Sequence, residues 1–392
     1  MQIFPFLLAL LAGPAEPMTS WAVPAEGAPF QARLEAIDGD WGLVFHAEGG
    51  KRSLPAGELV RFGAPQEVLR GPVVVFADGG RLVADVTGID KFNLRADSTV
   101  FGHLTLPLEQ VAGIVFLLPA DAQRQMLLFD RLLRAEGRAD RVLLENGDEL
   151  TGLIELLDRT QVRLDAQVGP IKTDRRNVAA VVFNPMLRRP ARPKGLHAWL
   201  GLSDGSLFPA TKVALGHQEL AVTAAVGQLG GGLPEDLVYL QPMGGRLVYL
   251  SDLEPETYRH VPYLEVSWPY LRDRNVTGGP PRCGHRQYLK GLGMHTAARI
   301  TYRLDGGYSR FQSEVGVDDS TEGRGSVRFR VFVDGRERYT GTPIRGGEPP
   351  VAIDLDVSGA DRLDLVVDFA DRAHVLDHAN WLDARLLLPR GR

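Results

Sequence analysis

The sequence predicts an all-β protein, because short alternating runs, frequent turn residues and scattered aromatic side chains recur throughout it. Runs of about four to eight residues alternate apolar and polar side chains, the period of half-buried strands. The 44 glycines and 26 prolines punctuate these runs, as turns between strands require. Strands this short and this frequent favour barrels and sandwiches over α/β layers.

Length and charge limit the organisation and the partners. A chain of 392 residues is long enough for two or three domains. The net charge of -5 gives no reason to expect a nucleic-acid partner. Cys283 is the one cysteine, which excludes an intrachain disulfide and a Cys-based metal cluster. We expect it to be a partly buried thiol on a loop.

The N-terminal residues predict export. Ile3 to Leu11 is almost wholly apolar and small residues follow it, which suits the apolar part of a signal peptide. We therefore assign residues 1–25 to a leader, with Ala15 and Ala25 as alternative ends, and place the protein in the periplasm, at the cell surface or outside the cell. A packed N-terminal segment is the alternative, since no Lys or Arg precedes the run. No run is long enough for a transmembrane helix.

The first two thirds of the chain repeat one pattern of strands. Val73 to Phe116 and Val142 to Phe183 each contain a strand, a glycine turn, further strands and a final Val-Phe. A shorter copy covers Leu34 to Phe62. The predicted units are β-barrel-like repeats over residues 28–119 and a further β repeat over residues 198–255. Repeats of this size fit small, curled five-stranded barrels.

The copy that begins at Val142 resembles the Sm-like barrel, a fold of SH3-like shape. The glycine turn of that fold corresponds to Asn146-Gly147, its second-strand glycine to Gly152, and its conserved aspartate to Asp158. The asparagine that RNA-binding members carry next is missing, because Arg159-Thr160-Gln161 follows. The resemblance therefore implies an architecture and no RNA binding.

One helix precedes this barrel and one connector follows it. Residues 120–136 place Met126, Phe129 and Leu132 at helical spacing. Asp121 could cap the start of this helix and Gly137 could end it. We assign helix and barrel together to residues 120–186. The basic, proline-containing residues 187–197 are predicted to form a solvated linker, with contact to a polyanion as the alternative.

The last third is organised around Lys290 to Asp319. Gly291 and Gly293 are expected to shape a turn. The alternation of Ile300, Tyr302 and Leu304 predicts a strand, and Asp305-Gly306-Gly307 predicts a hairpin turn into a second strand that carries Phe311, Val315 and Val317.

Six pieces of this region resemble a known family. They are KGLGMH (290–295), ITYRL (300–304), YSRFQSEVGVDD (308–319), GRGSVRFRVFVDG (323–335), LDLVVDF (363–369) and DHANWLDARL (377–386). In this order they are similar to the carbohydrate-binding module first noticed beside family 98 glycosyl hydrolases. The resemblance implies a galactose-binding-like jelly-roll β-sandwich over residues 256–392.

The candidate sugar contacts lie in loops of this module. Sugars are commonly held by an aromatic face and by polar groups that fix the hydroxyls. The predicted carbohydrate-binding residues are His295, Arg324, His378, Asn380 and Trp381. Two alternatives stay open at this point, because Trp381 precedes an apolar strand typical of core positions and His295 could be a hydrogen-bonded structural residue.

Calcium is a second possibility that the resemblance implies. Galactose-binding-like sandwiches often hold a structural Ca²⁺ beside the C-terminal strand, and Ca²⁺ needs six to eight oxygen ligands. Asp319 and Asp383 are the acidic candidates near that strand.

The function predicted is non-catalytic glycan binding, with galactose-type glycans as the expected ligands. No Gly-x-Ser-x-Gly or His-Glu-x-x-His motif is present, and Asp354, Asp356, Asp364 and Asp368 alternate with apolar residues as solvent faces of strands do. Two rivals remain: a glycoside hydrolase with the module as its targeting arm, and an envelope scaffold or assembly protein that no longer binds sugar. The N-terminal barrels are expected to be spacers or surfaces for protein partners.

Overall fold

The protein is built almost entirely of antiparallel strands, as the sequence predicts. The computed structural model describes residues 19–68, 70–263, 266–371 and 374–390. These residues form an N-terminal array of small barrels, which ends near residue 243, and a C-terminal sandwich of two sheets.

The N-terminal array contains four copies of one barrel within the described residues. In each copy a single turn of 3-10 helix precedes the last strand, and the last strand pairs with the first. The first two copies comprise β1 (Ser20–Pro24), β2 (Phe30–Ile37), β3 (Gly42–Ala47), β4 (Gly50–Pro55) and β5 (Leu59–Gly63), then β6 (Val73–Phe76), β7 (Arg81–Val83), β8 (Asp85–Ile89), β9 (Asn93–Ser98), β10 (Gly102–Pro107) and β11 (Val111–Val115). The other two comprise β12 (Asp140–Leu144), β13 (Glu149–Leu157), β14 (Gln161–Ala166), β15 (Gly169–Asp174) and β16 (Val178–Val182), then β17 (His197–Leu202), β18 (Leu207–Leu215), β19 (Leu220–Ala224), β20 (Gly227–Gly232) and β21 (Leu237–Met243).

The barrels are joined in pairs through their last strands. β11 of the second copy pairs with β16 of the third, and β5 of the first pairs with β21 of the fourth. Because hydrogen bonds continue from barrel to barrel, the array is one connected assembly of strands. Its apolar side chains form a shared core that includes Phe45, Phe76 and Phe208.

The helix between the second and third barrels lies close to its predicted position. α1 spans Ala122–Leu133, and the side chain of Asp121 accepts a hydrogen bond from the Arg124 amide, as a helix cap does. Phe129 and Leu132 are its buried residues. The helix ends before Gly137, because Arg134 already takes the C-cap position.

The predicted basic linker is partly anchored. The guanidinium of Arg188 donates to four backbone carbonyls, those of Leu132 and Leu133 at the end of α1 and those of Ala112 and Phe183. A cation at the C-terminal end of a helix is favourable. The first part of residues 187–197 therefore fastens the helix to two barrels.

The C-terminal sandwich consists of two six-stranded sheets with antiparallel pairing. The first contains β22, β24, β27, β29, β33 and β35, and the second contains β23, β28, β30, β31, β32 and β34. The strands are β22 (Leu247–Tyr249), β23 (Thr257–His260), β24 (Leu271–Arg272), β25 (Arg282–Cys283), β26 (Arg286–Gln287), β27 (Gly291–His295), β28 (Ala298–Arg303), β29 (Arg310–Val317), β30 (Ser326–Val333), β31 (Arg336–Thr340), β32 (Ile344–Arg345), β33 (Val351–Asp356), β34 (Arg362–Phe369) and β35 (His378–Leu387). β25 and β26 form a separate hairpin.

Two local predictions in this region need correction. β28 pairs with β23 and β34, whereas β29 pairs with β33 and β35. Asp305-Gly306-Gly307 therefore carries the chain from one sheet to the other and is not a hairpin turn. Gly291 and Gly293 lie inside β27 and not in a turn. An alternating pattern predicts a strand but does not identify its partner.

Two predicted boundaries fall on residues that the structure places in strands. β22 pairs with β35, so the sandwich begins near Leu247 and not at residue 256. β1 lies within the predicted leader of residues 1–25 and pairs with β2 and β5. The apolar run from Ile3 to Leu11 lies outside the described residues. Within those residues no helix is long and apolar enough to cross a membrane.

Candidate functional site

A cluster of histidine and aromatic rings lies at one end of the sandwich. β27 ends at His295, β35 begins at His378, and these two residues are paired neighbours. Further rings come from the end of β23 and from the loops that lead into β24 and β35. The histidine–aromatic cluster comprises His260, Tyr263, Trp268, His295, His374 and His378.

Trp268 is the central aromatic ring of this cluster. Its indole lies parallel to the His295 imidazole, with centroids 4.8 Å apart and an interplanar angle of 9°. The His378 ring lies 6.3 Å from the indole centroid. Trp268 is only partly buried. The cluster therefore offers an aromatic surface that is held in place by a stacked imidazole.

Backbone contacts determine which ring nitrogen carries the proton in two of the histidines. His260 Nε2 lies 3.0 Å from the Thr296 carbonyl oxygen, while the Trp268 amide donates to His260 Nδ1 at 3.2 Å. His295 Nδ1 lies 2.9 Å from the same Thr296 carbonyl. A carbonyl oxygen can only accept, so His260 carries its proton on Nε2 and His295 on Nδ1.

His378 and His374 provide polar atoms that the described residues leave unused. The Nδ1 atoms of both are buried and have no hydrogen-bond partner in that part of the chain. His378 is 8% exposed, and its burial lowers the pKa of the imidazole. Burial also lowers the pKa of His295. Neutral imidazoles present one donor and one acceptor each, which matches the hydrogen-bonding capacity of hydroxyl groups.

Tyr263 extends the cluster toward solvent. Its ring stacks on His374, with centroids 4.6 Å apart and an interplanar angle of 24°, and meets the edge of Phe369 at 6.1 Å. Tyr263 is 61% exposed. A rigid aromatic side chain that is this accessible can contact a ligand without large movement of the backbone.

One carboxylate braces the loops around the cluster. Asp377 accepts from the Thr296 hydroxyl at 2.8 Å and from the Ser326 amide at 3.0 Å. Burial raises the pKa of Asp377. Both carboxylate oxygens are engaged by protein donors, so this residue positions the loops and is poorly placed to act as an acid or a base.

The predicted stacking role of Trp381 has to be corrected. Trp381 is fully buried. It meets the ring of Phe329 edge-on at 5.0 Å and packs beside Phe311 at 6.3 Å. Trp381 is therefore a core residue, and its ring presents no face to a ligand. The accessible aromatic rings at this end of the sandwich are those of Trp268 and Tyr263, which sequence reasoning missed because their loop lies outside the motifs that carry the resemblance.

Asn380 and Arg324 are not members of the cluster. The Asn380 amide donates to Asp318 at 2.6 Å, and Asn275 donates to the other oxygen of Asp318 at 2.9 Å. Asn380 is therefore part of a buried structural network. Arg324 has an exposed side chain, which bonds the Thr321 carbonyl and pairs with Glu322. Of the five predicted sugar contacts, His295 and His378 are the two that the structure brings together.

The two predicted calcium ligands serve other partners. Asp383 accepts from Arg61 at 2.8 Å and from Gln241 at 3.0 Å, both in the barrel array. Asp319 accepts from the backbone amides of Gly284 and His285 at 3.1 and 2.8 Å. Among the described residues, no three His, Cys, Asp or Glu side chains are grouped so that they could hold a metal ion. Both candidate ligands already accept hydrogen bonds from the protein, and the structural Ca²⁺ stays a prediction.

Comparison with known families finds one domain family that matches the sandwich. Residues 246–387 match the NPCBM/NEW2 domain. The match starts where β22 starts and ends with β35, so it covers the whole sandwich. The C-terminal part of the chain thus matches a domain family of the kind that the sequence motifs indicate, and the barrel array lies outside the match.

Two curated proteins are similar to a part of the chain. A 110-residue segment is 33% identical to the "Putative endo-alpha-N-acetylgalactosaminidase" of Renibacterium salmoninarum and covers 28% of this chain and 7% of that protein. A 115-residue segment is 28% identical to the alpha-1,3-galactosidase B of Akkermansia muciniphila and covers 28% of this chain and 14% of that protein. The chain thus matches only a small fraction of the length of either relative.

Solved structures with similarity to the chain include modules of the CBM51 type. One is the CBM51 of Clostridium perfringens GH95 in complex with methyl-galactose, with 26% identity, coverage of 36% of this chain and 99% of that one, and a TM-score of 0.33. Another is the tandem CBM51 pair of a Streptococcus pneumoniae family 98 glycoside hydrolase, with 12% identity, coverage of 81% and 88%, and a TM-score of 0.32.

Proposed function

We propose that this protein binds glycans through the histidine–aromatic cluster of its C-terminal domain and does not cleave them. The observation that carries the proposal is the match of the entire sandwich to a carbohydrate-binding domain family. The cluster adds the chemistry that sugar binding needs. Trp268 and Tyr263 supply apolar faces for the C–H surface of a sugar ring, and the histidines supply hydrogen-bonding nitrogens.

Galactose-type sugars are the ligands we propose. The two curated relatives that match part of the chain are named for action on α-linked N-acetylgalactosamine and on α-1,3-linked galactose. A binding domain attached to such an enzyme concentrates it on glycans that carry its substrate. The same preference in this chain would place it on surfaces that display terminal galactose or N-acetylgalactosamine.

The absence of catalysis is proposed from the composition of the cluster. Most glycosidases need two carboxylates that flank the glycosidic bond. Asp377 braces the loops around the cluster, and both of its oxygens accept hydrogen bonds from the protein. Export is proposed from the apolar run between Ile3 and Leu11, because glycans of this type are displayed outside cells.

A glycan array probed with the intact chain tests this function. We expect binding to glycans with terminal galactose or N-acetylgalactosamine, and loss of that binding in the Trp268→Ala variant. Failure to bind any glycan would overturn the proposal and favour the scaffold alternative. Hydrolysis of a chromogenic α-galactoside by the intact chain would overturn the non-catalytic part alone.

A further inference from the structure

A polar cleft lies between the barrel array and the sandwich. It has a volume of about 680 Å³. One wall is the segment Ala64 to Glu67, which directly follows β5 of the first barrel. The other wall is the β25–β26 hairpin of the sandwich, together with Asp319. Each of the two parts of the chain therefore supplies one wall of the cleft.

The walls of the cleft are held by contacts on both sides. Arg282 of the hairpin pairs with Glu67 of the barrel across the cleft. Asp319 accepts from the Gly284 and His285 amides, which fixes the turn of the hairpin. Because these bonds join the hairpin to the sandwich and to the barrel, the cleft is a preformed feature.

Arg286 lines the cleft and makes only a long ion pair with a protein carboxylate. Its guanidinium lies 4.0 Å from Glu314 Oε2. That same oxygen already accepts from Arg61 at 3.1 Å and from the Tyr288 hydroxyl at 2.5 Å. The side chain of Arg286 is one-third exposed. An arginine has five N–H donors, so most of those of Arg286 remain available to a ligand.

The remaining lining groups complete a balanced set of donors and acceptors. Arg282 and Arg286 line the cleft together with the carboxylates of Glu67 and Asp319, so the formal charges of these four residues cancel. Gln66 and Gln287 each add an amide that both donates and accepts. A strongly anionic ligand would meet the two carboxylates, and a cation would meet the two arginines. A neutral ligand with many hydroxyl groups satisfies both kinds of partner.

From this geometry we infer that the cleft is a second saccharide site, built jointly by the first barrel and the sandwich. The inference rests on the proposed glycan-binding function and extends it, since the barrel array then contributes to recognition. The ligand class is a neutral mono- or disaccharide unit whose hydroxyls bridge Arg286 and Gln66 on opposite walls.

Native mass spectrometry of the full chain counts bound sugars and tests this inference. With α-1,3-galactobiose as the probe, we expect the wild-type chain to bind two molecules. Arg286→Ala and Gln66→Ala each remove one of them, and Trp268→Ala removes the other. Arg336→Ala is the matched control, because it removes the same charge from the exposed start of β31, and it should still bind two. Circular dichroism spectra establish that each variant is folded.

The outcomes separate the two proposals. If the wild type binds one molecule that Trp268→Ala abolishes, or if Arg286→Ala and Gln66→Ala both still bind two, the second site is wrong and the proposed function stands. If the wild-type chain binds neither this disaccharide nor any glycan of the array, both proposals fail. The combination Trp268→Ala/Arg286→Ala should bind none.

Discussion

Arg61 of the first barrel and Asp383 of the last sandwich strand form a buried ion pair, with 2.8 Å between Arg61 Nε and Asp383 Oδ2. Both side chains are almost fully buried. Arg61 also pairs with Glu314 at 3.1 Å. Burial works to lower the pKa of Arg61, but the two carboxylates outweigh it and raise that pKa. Because the pair joins the two parts of the chain, it fixes the sandwich against the barrel array.

Removing Arg61 should destabilise the protein strongly. In Arg61→Met the buried carboxylate of Asp383 loses the arginine that pairs with it, and Glu314 keeps only the more distant Arg286. A loss of about 3–5 kcal/mol in the free energy of unfolding is expected. Urea denaturation of the full chain measures it. Arg303→Met is the control, because the Arg303–Asp305 pair is exposed and such pairs contribute at most about 1 kcal/mol. Equal effects of the two substitutions would contradict the role of the pair.

Arg188 should contribute far more to stability than its neighbour Arg189. Arg188→Ala removes a donor from four carbonyls at the end of α1 and in two barrels, of which the Ala112 carbonyl keeps the Phe183 amide as a donor. Buried acceptors left unsatisfied cost about 1–3 kcal/mol. Arg189 is exposed and makes one ion pair, with Glu109. Thermal denaturation followed at 222 nm compares Arg188→Ala with Arg189→Ala. A larger effect of the Arg189 substitution would show that the anchoring is unimportant.

Gly293 is required by close approach of another backbone segment. A Cβ at this position would lie 2.5 Å from the Arg274 carbonyl oxygen and the Val276 nitrogen. Because backbone atoms cannot move aside as the end of a flexible side chain can, Gly293→Ala should lower the free energy of unfolding by about 1–3 kcal/mol through overpacking. Gly39→Ala is the matched substitution, because nothing lies within 4 Å of a Cβ there. Similar melting temperatures for the two variants would refute the packing argument.

Stability should fall as the pH drops below about 6.5. The pKa values of His295 and His378 are lowered by burial, so below the ordinary value of 6.5 the unfolded chain binds protons that the folded chain does not. The contribution of these two histidines to the free energy of unfolding is therefore fully present above pH 6.5 and is lost below it. At pH 5.5 the loss is at most about 1.4 kcal/mol per histidine.

Melting temperatures at pH 7.5 and 5.5 check this dependence. We expect His378→Gln to lose less stability between the two pH values than the wild type does, because one of the two groups is gone. His217→Gln, at an exposed position, should behave like the wild type. A His378→Gln variant with an unchanged pH response would contradict the assignment.

The sequence identifies the fold better than the site. Alternation and glycine turns predict the barrel repeats, and helical spacing predicts α1, because these patterns report which face of an element is buried. The sandwich follows only from the resemblance of six motifs to a known family. They do not report which strands pair, so the connection at Asp305-Gly306-Gly307 was misread as a hairpin. Trp381 is a candidate because aromatic and polar residues lie together in residues 377–383, yet it packs in the core. Asp383 is a candidate because the resemblance implies calcium beside the C-terminal strand, yet it pairs with Arg61.

The parts of the site that were missed come from distant segments. Trp268 and Tyr263 precede the recognisable motifs, and their positions depend on contacts with His295 and His374 that only the folded chain reveals. The signal available in the sequence is a pair of aromatic residues in a proline-containing segment. The cleft beside Arg286 was invisible for the same reason, since one of its walls belongs to the first barrel.

Calorimetric titration of the full chain with methyl α-D-galactopyranoside tests the central claim most directly. We expect measurable binding by the wild type, an affinity at least about tenfold lower for Trp268→Ala through loss of the aromatic face, and no change for Trp21→Ala, which removes an exposed tryptophan of β1. Equal affinities of the wild type and Trp268→Ala, or no heat of binding from the wild type with this sugar or N-acetylgalactosamine, would contradict the account.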